Sequence, residues 1–100
     1  MSIDDMTAGL IQQIQQTNEM EQLGKPEAIT VGGIEGRSTL LRSPSPFPDA
    51  NGQMQPERDW LVTVQQSDGS MIFMIFIAPQ ADFGSLQPTY DAMLKSVQFR

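Results

Sequence analysis

Two pairs of carboxylates stand close together in this chain, Asp4 with Asp5 and Glu57 with Asp59. Paired carboxylates do acid–base work when one of them is held protonated in a walled cleft. Asp4 and Asp5 instead open an apolar pattern of helical period, and Glu57 and Asp59 follow a proline-rich stretch. Both pairs therefore read as helix capping and solvation. Asp49 and Asn51 have the spacing that begins a calcium loop, but the twelfth position, which needs an acidic ligand, is Trp60. That segment reads as a turn. No histidine and no cysteine occur, which removes the commonest general base, the commonest metal ligands and all thiolate chemistry. The serines and threonines lack a base, and no Gly-x-Ser-x-Gly elbow is present. Gly32, Gly33 and Gly36 miss the dinucleotide fingerprint, because position 37 is Arg. The sequence thus offers no catalytic residue, no metal site and no cofactor.

Binding is the remaining class of function. Twelve acidic against six basic residues give a net charge of −6, a field that repels phosphate backbones, with no basic stripe to offset it. Nucleic acid is excluded as a partner on that ground, and a protein partner is expected. Residues 43–56 hold four of the seven prolines, which predicts a stiff, irregular loop that cannot join a ladder. Within it, Phe47 and Met54 are large apolar side chains flanked by prolines and polar residues. They are the candidate contact residues, with the alternative that Phe47 folds back onto the sheet as a lid. Met71 and Met74 are expected in the core.

The elements that position these residues follow from periodicity. Ile3, Met6, Leu10 and Ile14, reinforced by Ile11, predict an amphipathic helix over about 3–18, with Ser2 and Asp5 as its capping signature. Ala28–Val31 predicts a short strand, Gly32-Gly33 a two-residue hairpin turn, and 34–42 the return strand. Gly36 within that strand predicts a bulge or a crowded contact. Residues 58–66 form the next strand, and Ser67–Ser70 a tight turn. Residues 71–78, Met-Ile-Phe-Met-Ile-Phe-Ile-Ala, are apolar on both faces, which predicts a central strand covered on both sides. From Ala81, the residues Phe83, Leu86, Tyr90, Met93, Leu94 and Val97 return to helical spacing, with Pro88 expected in the first turn of a helix ending near Ser96. Residues 97–100 are a candidate edge strand. One hundred residues make a single domain, 1–100. No apolar run approaches the roughly 20 residues of a membrane span. The N-terminus lacks the basic and apolar regions of a signal peptide.

The segment 59–100 resembles the C-terminal region of bacterial envelope zinc metalloproteases, proteins whose catalytic domain carries His-Glu-x-x-His. The residues that carry the likeness are Trp60–Val64, Asp68-Gly69, Ile75–Pro79 and Leu86–Val97, with Gln15–Asn18 and Ile29–Gly33 upstream. The ending Met93-Leu94-x-Ser96-Val97-x-Phe99 is shared more widely with PsbP-like α/β/α domains. The resemblance implies a non-catalytic accessory domain of an envelope protease, since no histidine is present to carry over. A free-standing PsbP-like binding protein is the alternative. The expected fold is α+β: a mostly antiparallel four-stranded sheet covered by helices.

Overall fold

A computed structural model describes residues 2–17, 19–48 and 51–99. Helix α1 spans Ile3–Thr17. Its start is fixed by Ser2, whose Oγ accepts the N–H of Asp5 at 3.1 Å while its carbonyl accepts that of Met6 at 3.0 Å. These bonds satisfy amide groups that a helix start otherwise leaves open. Five strands follow: β1 (Glu21–Gln22), β2 (Glu27–Val31), β3 (Ile34–Pro48), β4 (Met54–Gln65) and β5 (Met71–Pro79). Helix α2, Gln80–Lys95, comes last. The fold is α+β with an antiparallel sheet, one strand more than the sequence suggested. The added strand is β1, whose two residues pair with Leu41 and Arg42 and carry no apolar pattern.

The sheet is built by hairpins. Gly32 and Gly33 turn between β2 and β3 with φ of 57° and 83°, the left-handed values a type I′ turn requires. β3 and β4 pair from Gly36↔Val64 onward, and β4 and β5 from Gln65↔Met71 to Glu57↔Pro79. The order is β1 and β2 end to end on one side of β3, then β4, then β5. Gly36 is a crowded contact: a Cβ there would sit 2.3 Å from the carbonyl oxygen of Thr63.

Two layers cover the sheet. The even-numbered residues of β4, Trp60, Val62 and Val64, join Val31, Phe76 and Ala78 beneath Phe83, Tyr90 and Leu94 of α2. Trp60, Phe76 and Tyr90 form the centre of that core, with ring centroids 4.8–6.5 Å apart. On the other face, Leu41 and Leu61 pack under Ile11 of α1. α1 rests on β3 and β4, and α2 on β4 and β5. Within α2, Leu86 and Met93 leave the buried stripe, Met93 being 51% exposed. Pro88 lies inside the helix rather than in its first turn. Proline there removes one intrahelical bond and crowds the carbonyl of residue 84. The helix continues because Phe83 and Tyr90 anchor it to the sheet on both sides of the break. Residues 97–99 add no strand; Phe99 instead lies over the turn at Gly32.

Two expectations are corrected. First, the proline-rich segment is no irregular loop, because its backbone continues β3 through Pro48 and pairs with β4 as far as Pro48↔Met54, with a register shift after Pro44. Pro44 enters this ladder through the direction its backbone faces. Leu23 donates its N–H to the carbonyl of Leu40 at 2.8 Å, so even-numbered residues of β3 point their backbone groups away from β4. The missing N–H of Pro44 therefore falls on the edge that β1 covers only as far as Arg42. Second, β5 is the edge strand, and the strand buried on both faces is β4, from Asp59 through Val64. β5 runs straight into α2, and among the described residues no strand pairs with its outer side.

Candidate functional site

The layer between α1 and the sheet is half polar. Thr7, Thr39, Ser43, Asp59 and Thr63 are all buried there. The Thr7 and Thr63 hydroxyls meet at 2.6 Å, and Ser43 donates its hydroxyl to Asp59 Oδ2 at 3.0 Å. Asp59 Oδ1 and Thr39 Oγ1 have no partner among the described residues. Burial, then the hydrogen-bonded carboxyl of Glu57, push the Asp59 carboxyl up to about 7, against a smaller downward pull from Ser43. Glu57 and Asp59 are thus the pair that sequence spacing singled out, but solvation is the wrong account of Asp59, which is 0% exposed. Its register neighbours are Leu41 and Ile77. A general acid must reach a reacting atom, and Asp59 in this state reaches none. It is a buried titrating group.

At the outer end of the same layer, Arg37 pairs with Asp4 of α1 at 2.7 Å and with Glu35 at 2.8 Å. The Arg37 guanidinium holds the Asp4 carboxyl below its ordinary value, chiefly through that hydrogen bond. Among the described residues, no three His, Cys, Asp or Glu side chains gather as metal ligands. Of the calcium-like segment, Asp49 lies outside the described residues, and Gly52 has φ of 76°, as a turn requires. A shallow cavity of about 270 Å³ opens on the α2 face, lined by Leu40, Trp60, Ser38, Lys25, Glu27 and Gln87 among others. Its size is just below the usual range for ligand pockets, and its one cation and one anion favour neither sign of charge.

Phe47 and Met54 have their backbones in the far ends of β3 and β4, while their side chains lie outside the described residues. The surface that sequence reasoning missed is β5. Phe73 is 50% exposed and Ile77 56%, both on the α1 side of the sheet, because α1 covers β3 and β4 but stops short of β5. The backbone edge beside them is open. Gln66 donates to the carbonyl of Ser70 at 2.8 Å, closing the β4–β5 hairpin. Alternation from that pair turns the N–H and C=O groups of Ile72, Met74, Phe76 and Ala78 toward β4. Those of Met71, Phe73, Ile75 and Ile77 point outward, and no strand pairs with them among the described residues. The signal was present in the uncharged run 71–78, whose second apolar face needs a cover.

Comparison with known proteins returns no matching family, no matching curated protein and no matching solved structure. No helix among the described residues is long and apolar enough to cross a membrane.

Proposed function

We propose that this chain is a non-catalytic interaction domain that binds protein through the open edge of β5. One observation carries the reading: an unbulged strand exposes a row of backbone donors and acceptors beside two half-exposed apolar side chains, with no charge between Met71 and Ala78. Such an edge is a template for strand addition. Natural edges that stay unpaired carry a lysine, a proline or a bulge, and β5 has none before Pro79. The likeness to envelope metalloproteases makes the chain an accessory domain of such an enzyme, and the alternative is a free-standing PsbP-like binding protein. An upstream His-Glu-x-x-His in the same reading frame selects the first, and its absence selects the second.

The binding reading is tested by placing the photo-cross-linker benzoylphenylalanine at position 73 of the intact parent protein in its source cells. Irradiation is expected to give adducts of protein mass, whether to another protein or to a second copy. Cross-linking that yields no protein adduct contradicts it.

A further inference from the structure

We propose that the occupant of the β5 edge is a second copy of this chain, paired antiparallel about a two-fold axis at Ile75; this rests on reading β5 as a contact edge. A two-fold axis between antiparallel edge strands stands perpendicular to the sheet, so each residue meets one from the same face. With Ile75 on the axis, Phe73 falls opposite Ile77 of the other copy and Ile77 opposite its Phe73. The two half-exposed side chains of the α1 face, 50% and 56% exposed, then cover each other as direct cross-strand neighbours. On the α2 face, Ile72, itself 36% exposed, falls opposite Ala78, and Met74 opposite Phe76. The same register sets the outward backbone groups of Phe73, Ile75 and Ile77 against those of Ile77, Ile75 and Phe73.

Few other surfaces of the molecule suit this role. The opposite edge of the sheet is broken between β1 and β2 and carries Glu21, Lys25, Pro26 and Glu27, the features that discourage pairing. Each copy carries −6, so association is opposed by charge except along an uncharged strand. The antiparallel arrangement also brings the Asp68 end of one β5 toward the Asp82 end of the other, so added salt strengthens the dimer. Half of a Phe and half of an Ile amount to on the order of 100 Å² each. With Ile72, this reaches a few hundred Å² per copy, well below the ~800 Å² of a stable interface. The dimer is therefore a weak, transient one.

Sedimentation equilibrium of the whole chain at rising concentration is expected to show a monomer–dimer equilibrium, shifted toward dimer by salt. Phe73→Lys with Ile77→Lys, both at exposed positions, is expected to be monomeric throughout while keeping a cooperative melt. The chain has no cysteine of its own, so single cysteines report the register. Residues opposite each other in a hydrogen-bonded pair stand about 5.5 Å apart at Cα, within disulfide range. Ile75→Cys should cross-link to itself on mild oxidation. Phe73→Cys should cross-link to Ile77→Cys in a mixture, and not to itself. A wild-type chain that stays monomeric at several hundred micromolar overturns the dimer. Protein adducts at position 73 would then still support the binding reading with a different partner. Phe73→Cys linking to itself in preference to Ile77→Cys overturns the register.

Discussion

The hydroxyls of Thr7 and Thr63 meet at 2.6 Å between α1 and β4, and neither side chain is exposed. They tie the helix to the sheet where an apolar pair would be expected. Replacing one by Val strands the other hydroxyl in the interior, at about 1–3 kcal/mol, whereas replacing both leaves two shape-matched apolar groups. Thr7→Val and Thr63→Val should each lower the urea midpoint, and the double variant should lose clearly less than their sum. Thr63 also points its hydroxyl at the Arg37 carbonyl, 3.4 Å away, so Thr7→Val, which leaves that contact in place, is the milder of the two. Additive losses would show that the hydroxyls do not interact.

Asp59 gives stability a definite dependence on pH. Its folded value, about 7, lies above the ordinary 3.8. The native state therefore binds a proton that the unfolded chain has released, and stability falls as pH rises between those two values. Below about 4 both states are protonated and the contribution is whole; above about 7 it is gone. The span corresponds to as much as about 4 kcal/mol. Asp59→Asn cannot titrate, so its melting temperature should change less between pH 5 and pH 8 than that of the wild type. Melting curves across that range check it; equal slopes for the two proteins would contradict the assignment.

Two glycines separate sterics from chain entropy. At Gly36 a methyl group would collide with the Thr63 carbonyl oxygen on the neighbouring strand, and Gly36→Ala should cost at least about 2–3 kcal/mol. Gly9 lies inside α1 with no atom within 4 Å of a built Cβ, so Gly9→Ala should stabilise by about 0.5–1 kcal/mol. Thermal melts of the two variants should move in opposite directions.

The elements were legible where local chemistry decides them. Ser2 caps α1, Gly32-Gly33 turns β2 into β3, and Phe83, Tyr90 and Leu94 return at helical spacing. What local chemistry does not carry is neighbourhood. An apolar run such as 71–78 requires two covers, but its sequence does not say whether a helix, another strand or another molecule supplies the second. Order in the sheet decided that, and set β4 at the centre. The prolines at 44, 46 and 48 misled for a related reason. Pro44 is compatible with an edge, which β1 leaves open by stopping at Arg42, and the register shift beyond it carries the strand on to Pro48. Asp59 was visible as one of a pair, while its burial depended on α1 lying across β3 and β4.

The central claim is that the outer edge of β5 is a contact surface, and residue-resolved amide hydrogen exchange tests it most directly. In the dilute chain, the amides of Met74 and Phe76, bonded to β4, should exchange slowly, while those of Phe73, Ile75 and Ile77 exchange fast. When the chain is concentrated or held in its natural assembly, these three should slow by about tenfold or more, with Met74 and Phe76 little changed. Outward amides that stay fast in the assembled protein, or that are already slow in the dilute one, would contradict the account.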